Sequence, residues 1–269
     1  KTDQLIRTIK ELFCKNINNM KELSKVIDKY LIPQELEKKS NAEVSTPFKL
    51  RQEMLDKIPV ELWTSINKVF EPCAGKGGFI IDIIDKFMNG LKETIHDEKL
   101  RYKTIVEECL YFSDINPTNI FICKLLIDPY NEYNLNSNEG NTLELDIKEK
   151  WDIEMFDAVI GNPPYNEDPD NSNDPHMKPV YQDWVYKFNK ISRMLMFITP
   201  SKWFSSSDKL LVELRDYMKT CNIVFITHYS QDDIFKNVKI KGGVSYYLIN
   251  EEFKGSTTFN NSLIDINKY

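Results

Sequence analysis

The chain has 269 residues, of which 41% are hydrophobic and 28% charged, the balance of a folded globular protein with one large domain and at most a small appendage. No run approaches the roughly 18 apolar residues that a membrane helix requires, and the N-terminus has no apolar signal region, so we expect a cytoplasmic protein with no membrane partner. A net charge of −6 argues against general affinity for polyanions. Any nucleic-acid surface must therefore be a local basic patch or belong to another segment.

The five cysteines give no sign of a disulfide framework or of a zinc site. They are odd in number, far apart, and include no Cys-x-x-Cys pair. We therefore expect reduced thiols and no bound metal. The first residue is lysine rather than methionine, so we expect the sequence to be part of a longer chain.

Apolar residues with helical periodicity dominate the first part of the chain. They recur over residues 5–13 and 23–30 among lysines and glutamates, until Pro33 interrupts the pattern. Amphipathic stripes of this kind usually pack against a core. We therefore predict an N-terminal helical segment over residues 1–41 that is a packing element without chemistry.

A well-capped helix is predicted next. Ser45 or Thr46 is suited to the N-cap, and Pro47 to the first helical position, where its missing N–H leaves nothing unpaired. One face is apolar over residues 50–58, and Pro59 ends the helix. Taken alone, this pattern indicates a helix and no function.

A strand, a glycine-rich turn and a helix follow one another over residues 68–84. The turn, residues 71–78, is Glu-Pro-Cys-Ala-Gly-Lys-Gly-Gly, and an apolar helical pattern begins at Phe79. Glycines in such a turn let the backbone approach a ligand closely and direct N–H groups of the helix start towards it. The order indicates a nucleotide-type site, with an ordinary tight turn as the alternative.

An acidic residue ends the next predicted strand, residues 110–114. Asp114 is followed by Asn116-Pro117 and an apolar helical pattern. In doubly wound folds, a carboxylate at this place, one βα unit after the glycine turn, accepts hydrogen bonds from ribose hydroxyls. The alternative is that Asp114 simply caps the helix that follows.

The most distinctive stretch is Asn-Pro-Pro-Tyr, residues 162–165, directly after the apolar run at residues 156–161. The two prolines donate no backbone N–H, so this loop offers carbonyl oxygens as acceptors. Asn162 adds a side-chain carbonyl and Tyr165 adds a flat ring face. The combination suits a planar substrate that carries an amino group.

Helices and strands continue to alternate towards the C-terminus. Helices are predicted at residues 180–191 and 207–219, and strands at 194–200 and 223–229. This alternation predicts a doubly wound, mainly parallel sheet whose ligands bind at the C-terminal ends of the strands. We therefore expect the glycine turn, Asp114 and Asn162 to lie at one edge of that sheet.

Lysines alternate with apolar residues in the last predicted loop and strand, residues 234–249. Lys236, Lys239 and Lys241 form this series. They are interpreted either as a solvated strand edge or as a rim that contacts phosphates beside the active site.

Together these motifs resemble the amino-methyltransferases of the class I S-adenosylmethionine-dependent fold, most closely the gamma-class N6-adenine DNA methyltransferases of restriction-modification systems. The similarity extends over about residues 42–250, and the cofactor motif precedes Asn-Pro-Pro-Tyr as it does in that family. The resemblance implies a seven-stranded sheet in a methyltransferase domain over residues 42–255. Residues 256–269 would be a tail or the start of a target-recognition region.

The resemblance also implies a set of contacts to S-adenosylmethionine. Residues 71–79 match the loop under its methionine moiety, and residues 140–142 match a segment that contacts its adenine amine. The family often has aspartate where Asn141 stands. The implied cofactor-binding residues are Thr46, Pro47, Glu71, Cys73, Ala74, Gly75, Gly77, Asp114, Ile115, Asn141, Thr142, Asn162 and Pro164.

Residues 162–165 match the catalytic motif of the family in full. The implied catalytic residues are Asn162, Pro163 and Tyr165, with the two acceptors binding the adenine amine and the ring stacking on the flipped base. The implied substrate contacts are Tyr165, Lys239 and Lys241. The late motif of the family is similar to residues 238–248 but lacks an evident stacking aromatic here.

The resemblance implies double-stranded DNA with an adenine-containing site as the substrate, in a protein of prokaryotic or viral origin. Family members usually carry a target-recognition domain after the late motif, whereas about twenty residues follow it here. Sequence specificity is therefore expected from a further domain, a specificity subunit or the N-terminal helices. A nuclease is a further possible partner.

Two other readings remain open from the sequence. The same loop suits other planar amines, such as an RNA base or a glutamine side chain of a protein. A catalytically silent nucleic-acid-binding subunit is the second alternative, because the chain is acidic and shows no recognition domain.

Overall fold

Helices and strands alternate along the chain, as the sequence predicts. The computed structural model describes residues 2–16, 19–30, 45–167, 178–230, 234–235 and 240–266. These residues form two units, the first containing residues 2–30 and 45–157 and the second residues from 158 onward. Within the described ranges, no helix is both long and apolar enough to span a membrane.

The first unit is built from helices around three strands. Its helices are α1 (Thr2–Asn16), α2 (Met20–Tyr30), α3 (Phe48–Asp56), α4 (Gly78–Gly90), α5 (Glu98–Thr104), α6 (Pro117–Ile127) and α7 (Ile147–Trp151). Its strands are β1 (Val69–Glu71), β2 (Leu110–Asp114) and β3 (Asn136–Glu139). A 3-10 turn at Val60–Leu62 and a π-helical turn at Ile105–Cys109 complete it.

The three strands of the first unit are parallel and lie in the order β3-β2-β1. Strands β1 and β2 are buried along their whole length, because helices cover apolar side chains on both of their faces. Their last residues are Glu71 and Asp114. Since parallel strands end at the same edge, both carboxyl groups and the glycine turn lie at one edge of this sheet.

The N-terminal helices pack directly on this unit. Helix α1 contacts α6 and helix α2 contacts α4, and their buried apolar side chains include Ile9, Phe13 and Leu23. The helical prediction for this segment is confirmed over α1 and α2, whereas residues 31–44 lie outside the described residues.

Helix α3 begins differently from the prediction. Its N-cap position is Pro47, and no side chain caps it locally, so the assignment of Ser45 or Thr46 as the N-cap is wrong. The N–H of Phe48, the first helical residue, instead donates to Asp28 on α2 at 2.5 Å. A carboxylate distant in sequence thus replaces the local cap.

The second unit contains the remaining strands and two helices. Its strands are β4 (Phe156–Gly161, which starts at the end of the first unit), β5 (Ser192–Pro200), β6 (Ile223–Tyr229), β7 (Val244–Asn250), β8 (Thr258–Phe259) and β9 (Ser262–Leu263). Its helices are α8 (Tyr181–Asn189) and α9 (Lys209–Thr220), with a 3-10 turn at Ser201–Phe204.

Strand order in the second unit is β4-β5-β7-β6-β8-β9. Strand β7 lies between β5 and β6 and runs antiparallel to both. The described residues contain nine strands rather than the expected seven, because the two-residue strands β8 and β9 pair at the outer edge of β6. The prediction of a mainly parallel α/β fold is confirmed.

Candidate active site

The glycine turn joins β1 to α4 in the first unit. Gly75 and Gly77 have φ angles of 50° and 89°, in the left-handed region that favours glycine. The N–H of Ala74 donates to the carbonyl of Ser113 at 2.9 Å, which attaches the turn to β2. Helix α4 then begins at Gly78 without a side-chain cap, so no capping side chain occupies its first N–H groups.

Asp114 holds this turn in place. Its Oδ2 atom accepts a hydrogen bond from the N–H of Gly75 at 2.8 Å, and its Oδ1 atom accepts from the N–H of Asn116 at 2.8 Å. The side-chain amide of Asn119 donates to Oδ1 at 3.3 Å. Burial raises the pKa of Asp114, and these three donors act against that rise.

The sequence alternative for Asp114, a cap on the following helix, is only partly correct. The side chain that caps α6 is Asn116, which accepts from the N–H of Thr118 at 3.0 Å. Asp114 instead bonds the backbone of that cap and of the glycine turn. Its neighbour Ile115 is 63% exposed, so its side chain is open to solvent at this edge of the sheet.

Glu71 is a buried carboxyl group at the end of β1. It is 1% exposed, and its Oε1 atom accepts from the N–H of Cys73 at 3.0 Å and from the Cys73 thiol at 3.4 Å. Burial raises the pKa of Glu71 to about 8, and the nearby charge of Asp114 adds to that rise. A cation placed beside Glu71 would reverse this effect.

Thr142 and Asn141 follow β3 and differ in their surroundings. Thr142 is buried, and its hydroxyl donates to the Pro72 carbonyl at 2.8 Å and lies 2.8 Å from the hydroxyl of Ser113. It therefore connects the segment after β3 to the start of the glycine turn. Asn141 is exposed and bonds Glu144 at 2.8 Å in a local turn.

The upstream residues Thr46 and Pro47 lie in the same unit. Thr46 is buried and Pro47 is half-buried at the start of α3. Of the predicted cofactor-binding residues, those from Thr46 to Thr142 belong to the first unit, whereas Asn162 and Pro164 belong to the second. That all of them contact one cofactor stays a prediction.

The Asn-Pro-Pro-Tyr loop leaves a fully formed strand. Strand β4 is buried from Ala158 to Gly161, and Asn162 follows at once, half-buried, with Pro163 buried beside it. Strand β4 is apolar because it is buried, and the apolar run ends at Asn162 because the buried strand ends at Gly161. The loop therefore presents its polar groups at the C-terminal end of a rigid strand.

Tyr165 is fixed by the returning chain. Its carbonyl accepts from the N–H of Val180 at 3.2 Å, and Asn166 pairs with Pro179 in an antiparallel bridge just before α8. Tyr165 itself is 8% exposed, so most of its ring is covered. Residues 168–177, which complete the intervening loop, lie outside the described residues.

The predicted phosphate rim is described only in part. Lys241 is exposed in the Gly242-Gly243 turn that leads into β7, and Lys239 lies outside the described residues.

Sequence inspection missed a polar pair in the same unit, where Ser201 Oγ lies 2.8 Å from His228 Nδ1. Its only sequence signal is that a serine follows Thr199-Pro200 at the end of β5.

Known restriction-modification methylases resemble this chain in sequence. Residues 108–235 match the model of the Eco57I restriction-modification methylase family, a span that includes Asp114 and the Asn-Pro-Pro-Tyr loop. A relative from Mycoplasma pneumoniae, described as an uncharacterized adenine-specific methylase, is 25% identical over 298 aligned residues. That alignment covers 82% of this chain and 70% of the relative. The resemblance to restriction-modification methylases is confirmed.

Solved structures agree on the fold. A modification subunit of a putative type I restriction enzyme from Vibrio vulnificus superposes with a TM-score of 0.61 at 13% identity, over 91% of this chain and 55% of that subunit. A putative class I S-adenosylmethionine-dependent methyltransferase from Listeria monocytogenes gives 0.56 at 13% identity, over 93% and 76%. The chain has the class I methyltransferase fold and spans little more than half the length of the Vibrio subunit.

Proposed function

We propose that this chain transfers a methyl group from S-adenosylmethionine to the N6 amine of adenine in DNA. The observation that carries the proposal is the Asn-Pro-Pro-Tyr loop directly after buried strand β4, inside the span that matches restriction-modification methylases. The glycine turn that Asp114 braces supports it independently, because it has the chemistry of a cofactor site.

The residues of the first unit fit the proposed cofactor. S-adenosylmethionine is positively charged at its sulfonium and ammonium groups and carries ribose hydroxyls. Glu71 is a buried carboxyl group whose raised pKa a cation would lower, and the turn at Gly75 and Gly77 lets a ligand approach the backbone closely. Asp114 Oδ2, which accepts one bond from Gly75, retains a lone pair for a ribose hydroxyl.

The Asn162 loop supplies the chemistry at the amine. An exocyclic amine is a poor nucleophile because its lone pair is delocalised into the ring. Two acceptors, the Asn162 side-chain oxygen and the Pro163 carbonyl, bind both N–H groups and favour a tetrahedral nitrogen whose lone pair is available. When bound, S-adenosylmethionine would supply an electrophilic methyl group: an N–C bond would form as the S–C bond breaks, S-adenosylhomocysteine would leave as a neutral thioether, and one amine proton would pass to solvent.

The ring of Tyr165 gives the proposed base a stacking surface. Extracting a base from a duplex costs a few kcal/mol, and stacking on an aromatic side chain returns about 1–3 kcal/mol. The Tyr165 carbonyl accepts from the N–H of Val180, which holds the backbone that carries the ring. Because Tyr165 is 8% exposed, stacking requires the ring or its surroundings to move when the base binds. Its contribution is to binding and positioning of the base.

Sequence recognition is proposed to come from a partner or a further domain. The net charge of −6 leaves local lysines as the phosphate contacts, such as Lys241 in the Gly242-Gly243 turn and Lys202, whose Cγ lies 3.8 Å from where a Cβ of Gly242 would be. The solved structures with this fold include type I modification subunits, which supports a specificity subunit as the partner.

Methyl transfer from labelled cofactor to separate DNA, RNA and protein substrates tests the proposal. We expect label in DNA alone, recovered as N6-methyladenine after digestion to nucleosides. Label in RNA or in protein glutamine would replace the proposed substrate with another planar amine. Cofactor binding without transfer to any of the three would favour a silent subunit.

A further inference from the structure

Arg51 of α3 is a buried arginine held on all sides. It is 1% exposed, and its Nε atom donates to Asp82 at 2.6 Å. Its Nη1 atom donates to Asp28 at 2.7 Å and to the Thr46 carbonyl at 2.5 Å. Its Nη2 atom donates to Ser24 at 2.8 Å. Burial lowers the pKa of Arg51, but the Asp82 and Asp28 carboxylates outweigh it, so the guanidinium stays charged.

These partners come from separate parts of the first unit. Ser24 and Asp28 lie on α2, Thr46 lies in the segment before α3, and Asp82 lies on α4. One planar group therefore connects helix α2 to the Thr46–Pro47 segment and to the helix that leaves the glycine turn. Arginine can do this because its planar guanidinium holds five N–H donors in fixed directions, whereas the ammonium group of a lysine has three donors that rotate.

Asp28 holds the start of α3 through two hydrogen bonds. Its Oδ1 atom receives the bond from Arg51, and its Oδ2 atom receives the N–H of Phe48 at 2.5 Å. A negative charge at the N-terminus of α3 is also favourable to the helix dipole. Asp28 therefore replaces the cap that Pro47 cannot provide and fixes where the helix begins.

The guanidinium also lies against the first residue of α4. A Cβ atom at Gly78 would lie 2.7 Å from Arg51 Cζ and 2.8 Å from Nη1. The end of a flexible side chain would ordinarily give way, but the four partners of Arg51 hold it in position. Gly78 therefore permits a close approach between Arg51 and the start of the helix that follows the glycine turn.

We propose that Arg51 and Asp28 are positioning residues of the cofactor site. They hold the Thr46–Pro47 segment and the start of α4 in the arrangement that binds S-adenosylmethionine. Helix α2 then contributes to cofactor affinity, although none of its residues is among the proposed contacts. The inference rests on the proposed function and extends it to the N-terminal helices.

The test is calorimetric binding of S-adenosylmethionine to the full chain and to Asp28→Asn, which keeps the side-chain shape and removes the charge. We expect about tenfold weaker binding, the result of a segment correctly placed about a tenth of the time. The KM for the cofactor rises with the Kd, whereas the KM for DNA keeps its wild-type value. Arg51→Lys, which keeps the charge and loses the fork, shows the same pattern.

A matched control separates positioning from general destabilisation. Arg101 on α5 is also buried, and its Nη1 atom donates to the Ile95 and His96 carbonyls at 2.7 and 3.4 Å rather than to the Thr46 segment or to α2. Arg101→Lys is expected to lower the melting temperature and leave the cofactor Kd unchanged. Asp28 is 26% exposed, so Asp28→Asn remains the deciding variant if Arg51→Lys does not fold.

Two results would overturn the inference. One is wild-type cofactor affinity in a folded Asp28→Asn variant, and the other is an equal loss of affinity in Arg101→Lys. Failure of the wild-type chain to bind S-adenosylmethionine is a distinct outcome, since it removes the proposed function and the inference with it.

Discussion

The carboxylate of Asp114 accepts a hydrogen bond of 2.8 Å from the backbone N–H of Gly75, 39 residues earlier in the chain. This bond ties the end of β2 to the glycine turn that follows β1. Oδ1 already accepts two bonds, from the N–H of Asn116 and from the side-chain amide of Asn119, whereas Oδ2 accepts one from Gly75. Oδ2 therefore has a lone pair with which Asp114 can accept a ribose hydroxyl while it shapes the turn. Structural and ligand-binding roles are therefore compatible in this residue.

Asp114→Asn should weaken both the turn and the cofactor site. The amide that replaces one carboxylate oxygen cannot accept from Gly75 or Asn116, which leaves a buried donor without its acceptor. We expect a loss of about 1–3 kcal/mol in the free energy of unfolding and a cofactor Kd that rises about tenfold or more. Chemical denaturation and calorimetry measure the two effects.

Asp128→Asn is the matched control for this substitution. Asp128 is also buried in the first unit and accepts from the N–H groups of Glu132 and Tyr133 at 2.8 and 3.0 Å. Its substitution should cost similar stability and leave cofactor affinity unchanged. Unchanged affinity in Asp114→Asn itself would remove Asp114 from the ribose site.

Cofactor binding should depend on pH through Glu71. Its pKa is about 8 in the cofactor-free protein, so below that pH most molecules carry a neutral carboxyl group. A cationic ligand binds the ionised form, so affinity should rise from pH 6 to pH 8 and level off above it. Calorimetry in buffers of different ionisation enthalpy should show proton release on binding near pH 7, and Glu71→Gln should abolish both effects.

The same carboxyl group should affect the stability of the cofactor-free protein. Its pKa lies above the value of 4.5 that an unperturbed glutamate has, so its favourable contribution is complete at low pH and is lost as the pH rises towards 8. Glu71→Gln should therefore raise the melting temperature relative to wild type, increasingly from pH 5 to pH 8. The exposed Glu61→Gln serves as the control, and a pH-independent difference between Glu71→Gln and wild type would contradict this prediction.

Gly77→Ala should destabilise the turn by backbone strain. Gly77 has a φ angle of 89°, in the left-handed region, where a residue with a Cβ atom costs about 1–2 kcal/mol more than glycine. The added methyl group would itself make only ordinary contacts, 3.4 Å from Cys123 Sγ and from Leu126. Denaturation measures the loss, and a fully stable Gly77→Ala variant would show that the turn relaxes to another conformation.

Local patterns were sufficient to predict most strands and the Asn-Pro-Pro-Tyr loop. Strands β2, β4 and β6 begin and end where the apolar runs predict, because each is a short buried run bounded by polar or turn residues. The loop at residues 162–165 was recognisable for the same reason, since its four residues are contiguous. Strands β8 and β9 could not be predicted, because each has only two residues and so shows no periodic pattern.

The supports of the cofactor site were not predictable from local patterns. Arg51 occurs on an amphipathic helix, where a charged side chain ordinarily faces solvent, and its partners Asp28 and Asp82 are 23 and 31 residues away. Only the packing of α2, α3 and α4 in the first unit brings them together. The wrong N-cap assignment at Ser45 or Thr46 has the same origin, because the cap comes from Asp28.

The central claim is that the Asn162 side chain binds the amine that receives the methyl group. It is tested most directly by the amount of N6-methyladenine formed in DNA by wild type, Asn162→Ala and the control Asn166→Ala, whose bridge to Pro179 uses backbone groups. At saturating S-adenosylmethionine, we expect Asn162→Ala to lose about 10²–10³ in rate or more and Asn166→Ala to stay active. Near-wild-type N6-methyladenine formation by Asn162→Ala would contradict the claim.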